Sequence, residues 1–577
     1  MITNHVAGHM KEREHIAYFT MEVGISHRIP TYAGGLGILA GDTLKSFADL
    51  GIPVVGISLL NEQGYFYQRL DGDGNQIEDP VHWSVGDLMV QLPNVVTVRI
   101  DGRQVKVKAW QHMIRGIKGS SIPMIFLDTN LPENAEYDRT LTSHLYSGDR
   151  YYRLCQEMVL GVGGMRMLDS LGYTNVKKYH MNEGHAALLT IELLRKTYHD
   201  AEIEENSYDI DSVKDKTVFT THTPVAAGHD RFDLDLFKKV VGDYVPEFII
   251  KKAFDGEKVN MTLLGLTFSR YINGVAKRHK EVTEEMFPEY QIDSITNGIH
   301  PVTWASIPFK NLFNKHIPGW CADPYSLRNA LSMPKDDVWQ AHDDAKNLLI
   351  DEINQRANVG FDSNRFTIGY ARRFTAYKRP DLLLFDIERL KSIAEQKGDI
   401  QVVYAGKAHQ ADQNGKDIIK RVVHLAREIN AQNCKLKIIF LDGYDMRLAK
   451  LMVSGCDVWL NTPQRPYEAS GTSGMKAALN GVPHFSTLDG WWLEGHIEHT
   501  TGWSIGAHPH DPDFKHDPDP RDEAEDLYNK LENVVLPCFY GDRDKWINIM
   551  RHCIAINGSF FNTYRMAQQY IAGAYLD

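Results

Sequence analysis

FTIGYARRFTAYKRPDLLLFDIERLKSIAEQKGDIQVVYA, residues 366–405, carries the unit that decides the fold. A short apolar run from Phe366 to Tyr370 gives way to RPDLLLFDIERLKSIAEQ, whose apolar spacing is helical, and a second apolar run follows from Gln401 to Ala405. The rhythm continues through runs at Leu436 to Leu441, Val458 to Leu460 and Pro483 to Thr487. Right-handed crossovers of this kind build a parallel, doubly wound sheet whose ligands sit at the carboxyl ends of the strands. The N-terminal half is less regular, with strands expected at Ile16 to Phe19, Val54 to Leu60, Ile122 to Leu127 and Val218 to Thr221 and a β-rich insertion near residues 95–113. The predicted fold class is therefore α/β, two doubly wound Rossmann-like domains facing across a cleft that holds the site. HPHDPDFKHDPDPR, from His508 to Arg521, has proline at four positions and is expected to be a surface loop without regular structure.

At 577 residues the chain is long enough for two large domains. Apolar content of 43% and charged content of 24% are those of an ordinary globular protein. No apolar run approaches the roughly 18 to 20 residues that span a bilayer. The opening MITNHVAGHMKEREH lacks the apolar core of a secretory signal and the Arg/Ser bias of a transit peptide, so a soluble, cytoplasmic protein is expected. Cys155, Cys321, Cys434, Cys456, Cys538 and Cys553 form no CxxC pair and suit reduced, separately packed thiols. His5/His9 and His508/His510 supply no ordered set of three or four ligands, so no metal is expected. A net charge of −12 argues against nucleic-acid binding and leaves anions to a local basic cluster.

Three segments carry chemistry. TYAGGLGILAGD places Gly34, Gly35 and Gly37 at the start of a helical pattern, where backbone N–H groups can approach an anion. On its own it reads equally as a structural turn or a phosphate site, and with half that weight as a loose dinucleotide fingerprint, with Glu62 after the next strand. GYARRFTAYKRP sets Arg372, Arg373, Lys378 and Arg379 just after a strand, with Pro380 suited to the first turn of the next helix. Cations are disfavoured at a helix N-terminus, so an anion would reconcile them; a solvated basic face is the alternative. RPYEASGTSGMKAALNG leads a hydroxylic, glycine-rich turn into a helix bearing Lys476. A lysine rising from a phosphate-cradling turn suits a pyridoxal Schiff base, and a surface lysine is the plain alternative.

With EASGTSGMK, RRFTAYKR, TNGIHPVTW, TTHTPVAAGHDRF, HMNEGHAALL and YAGGLGILAGD in collinear order, the chain resembles the α-glucan (glycogen, starch, maltodextrin) phosphorylases over roughly residues 15–560. The resemblance implies the two-domain GT-B glycosyltransferase architecture, divided as 1–298 and 299–577 with the last helical segment packing back on the first domain. It also implies pyridoxal 5'-phosphate held as a Schiff base on Lys476, with idle carbonyl chemistry and a 5'-phosphate that supports proton transfer beside the substrate phosphate. By the same resemblance, Arg373, Lys378 and the backbone of Gly35, within Gly34-Gly35-Leu36, grip that phosphate. His222 touches the glucosyl unit, its carbonyl supporting positive charge at the anomeric carbon. Asn297, Glu468, Ser470 and Gly471 meet sugar hydroxyls, and Trp304, Tyr444, Arg372, Thr472 and Ser473 surround the cofactor. Asn182, Glu183 and His185 support the site from behind.

The sequence departs from the long members of the family, which carry Lys at Arg372 and Tyr-Arg at Tyr444-Asp445, so one contact to the cofactor phosphate is missing or replaced. Their regulatory segment has no counterpart before Glu14, which leaves phosphorylation control and nucleotide activation without support. The expected activity is reversible, retaining phosphorolysis of an α-1,4-glucan or maltodextrin to glucose 1-phosphate, without metal. The homodimer common in the family is an analogy only. A nucleotide-sugar-dependent glucan synthase is disfavoured because such enzymes carry a second glutamate at the spacing of Lys476 from Glu468. A non-catalytic glucan-binding protein is disfavoured by the intact Arg373/Lys378 pair, and a transaminase is a more distant alternative.

Overall fold

The computed structural model describes residues 14–198, 208–225, 228–244, 247–357, 359–509, 511 and 518–576. The chain forms two compact units. One comprises the residues up to Tyr65, Pro80–Thr296 and the segment from Met566 on; the other comprises Phe66–Asp79 and Asn297–Arg565. His5, His9 and His510 lie outside the described residues, as does most of the stretch between Pro509 and Pro518.

The first unit is built on a nine-stranded sheet. Its neighbours run, in spatial order, Asp293–Ser294, Tyr271–Gly274, Thr217–Thr220, Val176–Asn182, His15–Thr20, Val54–Leu59, Ser121–Asp128, Arg103–Arg115 and Val90–Ile100. The last two are the β-rich insertion: they pair antiparallel with each other, and Arg103–Arg115 pairs antiparallel with Ser121–Asp128; the remaining contacts are parallel. Numbered along the chain, the parallel strands lie in the order 3-2-1-4-5-6-7, which reverses between His15–Thr20 and Val176–Asn182. His15–Thr20 and Val54–Leu59 are buried throughout, as strands covered on both faces must be. The helix Gly35–Leu50 makes the crossover between them.

The second unit has a six-stranded, wholly parallel sheet ordered Leu436–Leu441, Ile400–Ala405, Phe366–Ala371, Val458–Asn461, His484–Thr487, Gly502–Ile505. This is the doubly wound order 3-2-1-4-5-6, with its reversal between Phe366–Ala371 and Val458–Asn461. The five apolar runs of the sequence are all strands here. A sixth strand, Gly502–Ile505, was not foreseen, nor were Val176–Asn182 and Tyr271–Gly274 in the first unit.

Two local expectations are corrected. The helical stretch after the basic cluster is shorter than its apolar spacing suggested: Leu382–Leu384 is a single tight turn, and the helix proper is Ile387–Lys397, capped by the Asp386 side chain. Pro380 therefore precedes a turn instead of opening the helix. The cause is Arg379, held at φ +44° with its guanidinium on the carbonyls of Thr462 and Pro463 and on Glu523. At the other site, regular structure begins inside His508–Arg521: Pro520 opens the helix Pro520–Lys530 behind an Asp519 cap. Proline at a first helical position costs no hydrogen bond, so four prolines did not exclude a helix start.

The amino ends of the two strands at the second reversal are locked by a buried carboxylate. Asp457 accepts His342 Nε2 at 2.8 Å, Lys346 Nζ at 2.6 Å and the Thr367 N–H at 2.7 Å. His342 and Lys346 lie one turn apart on the helix Lys335–Ala357, so a single carboxylate ties that helix to both strands. Removing it strands a buried ammonium. Asp457→Ala is expected to cost the second unit roughly 3–5 kcal/mol of stability, read as an earlier transition in urea unfolding.

Candidate active site

The reversal in the second unit opens a crevice at the carboxyl ends of Phe366–Ala371 and Val458–Asn461, where neighbouring chains leave to opposite faces. Arg372 follows the first strand and Asn461 ends the second; Arg372 Nη1 donates to Asn461 Oδ1. Its other arm, Nη2, reaches Glu468 Oε2 at 2.5 Å, and Lys378 Nζ reaches the same oxygen at 2.5 Å. The three side chains are 11%, 10% and 7% exposed for Arg372, Lys378 and Glu468. Burial alone would raise the Glu468 carboxyl, but Arg372 and Lys378 pull it down to about 2, so it stays ionised.

The basic cluster is thus divided. Arg372 and Lys378 share Glu468, Arg379 is committed to holding its own turn, and Arg373 is exposed. The solvated-face alternative does not fit Arg372 and Lys378. The helix-terminus argument does not apply either, since the helix starts only at Ile387.

Glu468 stands in a turn built by its neighbours. Its N–H donates to Asp489 Oδ2 at 2.8 Å, and the Gly490 N–H donates to Asp489 Oδ1 at 2.9 Å. Gly490 has φ +55°, and a Cβ there would lie 2.5 Å from the Ser470 carbonyl oxygen, which accepts the Trp491 N–H. The segment Asp489–Trp491 therefore moulds the Glu468–Ser470 turn. Burial pushes the Asp489 carboxyl up to about 7, with the nearby Glu468 charge adding to it. Ser470 Oγ is buried and has no hydrogen-bond partner among the described residues, and the same holds for Asn297 Oδ1.

Past Gly471, Thr472 stands at the cap position of the helix Ser473–Leu479, and Ser473 Oγ accepts the Trp459 indole N–H. Lys476, on this helix, is buried with Nζ 3.9 Å from the centre of the Trp304 ring. Asn480 fixes that pair: its amide donates to the carbonyls of Trp304 and Lys476 and accepts from the Ser306 N–H. Lys476 is accordingly a core residue, not a surface one. Tyr444 packs half-buried against this unit's core, and Asp445 caps the helix Met446–Gly455.

In the first unit the equivalent reversal carries a hydrogen-bond chain. Thr20 Oγ1 donates to the Glu22 carbonyl and accepts Asn182 Nδ2; Asn182 Oδ1 in turn pairs with His222 Nε2 at 2.7 Å. With its amide nitrogen committed to Thr20, Asn182 presents its oxygen, so His222 carries its proton on Nε2. Burial, with the neighbouring histidines, lowers His222 to about 3 and keeps it neutral. Glu183, at φ +79°, accepts the His222 N–H, the Thr223 hydroxyl and the Gly184 N–H.

The glycine turn is tied to the same chain through Glu22. The Glu22 carboxylate accepts the Ala33 and Gly34 N–H groups and the Tyr146 hydroxyl, and a Cβ on Gly37 would strike it at 2.6 Å. An internal carboxylate thus occupies the amides of Ala33 and Gly34. Gly35 and Leu36 open the helix, Gly35 exposed with no atom near the place of a Cβ. Glu22, Asn461 and Asp489 escaped the reading of the sequence. Asp489-Gly490 after an apolar run was the one visible signal of the moulding turn.

The model of the carbohydrate phosphorylases matches residues 243–502. Maltodextrin phosphorylase of Thermococcus litoralis is 38% identical over 97% of this chain and 70% of its own length. Glycogen phosphorylases of Mycobacterium tuberculosis and Aquifex aeolicus are 35% and 34% identical, over 97% and 96% of this chain and 70% and 85% of their own.

Asp489 yields a prediction. A carboxyl that titrates near 7 when folded and near 3.9 when unfolded holds its proton more tightly in the fold. Its contribution to stability is full below about pH 4 and is lost as pH rises through about 7. Asp489→Asn lacks this loss, so its stability relative to the parent protein should improve between pH 5 and pH 8 in paired unfolding curves. An unchanged difference across that range would mean Asp489 titrates normally.

Proposed function

The chain belongs to the carbohydrate phosphorylase family, and on that premise we propose that it catalyses reversible, retaining phosphorolysis of α-1,4-glucan ends to glucose 1-phosphate. The observation that carries the reading is the presence in one unit of a buried lysine, Lys476 against Trp304, and of two largely shielded cations, Arg372 and Lys378, past the end of a strand. His484 links the two parts: Gly474 of the Lys476 helix packs on its ring, which lies within electrostatic reach of Arg372 and Glu468.

These residues fit pyridoxal phosphate. Lys476 would carry it, Trp304 and Tyr444 would flank its ring, and Arg372, Thr472 and Ser473 would hold its phosphate. The fit lies in their chemistry: a buried primary amine 3.9 Å from the centre of an aromatic ring, with two hydroxyl side chains one helical turn before it. When bound, the cofactor supplies a 5'-phosphate able to exchange a proton with a neighbouring substrate phosphate.

The remaining chemistry is the chain's own. In the reaction a phosphate oxygen replaces the glycosidic oxygen on the anomeric carbon, and the departing glucan 4-oxygen takes a proton. Lys378 and Arg373 bind the substrate phosphate and stabilise negative charge as the glycosidic bond opens. The Gly35 amide contributes the same kind of contact. His222, neutral and held through Asn182 and Glu183, lends its backbone carbonyl to the positive anomeric centre. Glu468, Ser470, Gly471 and Asn297 bind sugar hydroxyls.

The test is release of inorganic phosphate from glucose 1-phosphate by the purified protein, with and without a short maltodextrin primer. Primer-dependent release is expected, abolished in Lys476→Ala. Lys378→Ala should lose on the order of 10²- to 10³-fold in kcat, the cost of one transition-state donor. No release from a folded, pyridoxal-loaded parent protein would reject the substrate assignment.

A further inference from the structure

Glu468 is the internal anion of the cation pair. One oxygen, Oε2, accepts both Arg372 Nη2 and Lys378 Nζ, and the three groups are largely shielded from water. On the reading above, Lys378 takes the substrate phosphate and Glu468 takes sugar hydroxyls. The two assignments conflict in this geometry: a carboxylate 2.5 Å from the ammonium holds the place a phosphate oxygen needs. Two anions crowded on one ammonium repel strongly where the effective dielectric is low.

The turn that carries Glu468 does not yield. Its N–H is anchored on Asp489, Ser470 is clamped by the Trp491 N–H, and the Gly490 backbone lies against the Ser470 carbonyl. What these anchors leave able to move is the side chain of Glu468, which can turn about its own torsions. Once off Lys378, the carboxylate has only Arg372 left of its two cations, and its remaining lone pairs can accept hydrogen bonds from a neutral, donor-rich partner, which is what a sugar offers.

We propose that Glu468 couples the two substrates: phosphate displaces its carboxylate from Lys378, and the displaced carboxylate then accepts the sugar hydroxyls, so that each ligand tightens the other. The coupling is reciprocal, as any coupling between two binding equilibria must be. It rests on the reading of Lys378 as a phosphate ligand.

The test uses the pyridoxal-loaded enzyme. Inorganic phosphate is titrated calorimetrically without glucan into the parent protein, Glu468→Gln and Lys378→Ala. Glu468→Gln is expected to bind phosphate on the order of tenfold tighter, having lost a charge-assisted competitor. Maltopentaose is then titrated with and without inorganic sulfate, an oxyanion of similar shape that accepts no glucosyl group. Sulfate should tighten maltopentaose severalfold in the parent and leave Glu468→Gln unmoved. If Lys378→Ala loses phosphate but Glu468→Gln gains none, or sulfate still helps Glu468→Gln, the coupling is wrong and the phosphate site stands. If parent and Lys378→Ala bind phosphate alike, the assignment of Lys378 itself fails. Thermal melts check folding, and Glu468→Asp, with the charge on a shorter arm, should bind phosphate with intermediate affinity.

Discussion

A right-handed crossover can carry the chain to one face of a parallel sheet or the other, and a sheet wound both ways must contain one place where the direction changes. The polar clusters described above gather at those two places. In the second unit Arg372 and Asn461 stand on the paired strand ends and touch; in the first, Thr20 and Asn182 do the same. At the opposite, amino ends of the second pair, Asp457 draws a helix and both strands together with three hydrogen bonds. Rigid at one end and divergent at the other, the strands give their carboxyl-end residues fixed positions without filling the space they face.

The turns that extend from these strand ends are shaped by buried acids. Glu22 gathers the glycine turn, Glu183 holds the backbone beside His222, and Asp489 anchors Glu468. Each works by accepting backbone N–H groups where water is excluded. The arrangement leaves cations, not acids, as the groups with an unfinished task. Arg372 and Lys378 share one carboxylate oxygen between them, so the second unit holds a local surplus of positive charge although the chain as a whole carries −12.

Strands made of uninterrupted apolar residues were readable in the sequence, and so were the three segments bearing Gly35, Arg372 and Lys476. What escaped was polar residues in buried places. Val176–Asn182, with Lys178, His180 and Asn182, has the composition of a surface segment, yet it lies beside the central strand of its sheet. Its polarity is absorbed at long range: His180 is satisfied by Tyr575 and Thr220, and Lys178 by the Asp215 carbonyl. Partners 395 residues apart in the chain leave no local pattern to read. The same reason hid Asn461 and Asp489, whose importance lies in what they touch. The overlong helix after the basic cluster failed differently, because Arg379 pins its turn to a segment more than eighty residues onward.

Both departures from the long phosphorylases have a local physical account. The planar guanidinium of Arg372 bonds Asn461 with one arm and Glu468 with the other, a fixed fork that the single ammonium of a lysine lacks. Arginine here therefore stiffens the junction between the first strand and the Glu468 turn, at the cost of committing its charge. Asp445, where the long members carry arginine, spends its carboxylate on the Leu448 N–H as a helix cap. The change removes one cation and adds one anion beside Lys407, which burial lowers to about 8 and which Asp445 helps keep charged. Lys407 in turn donates to the carbonyl of Phe66, just before the strand pair Tyr67–Leu70 and Gln76–Asp79, which packs on the same sheet's carboxyl edge through Gln68 and Gln76. On the Tyr444 turn, then, the acid that stands in place of the long members' arginine serves structure: it caps a helix and faces the lysine that bonds the Phe66 carbonyl.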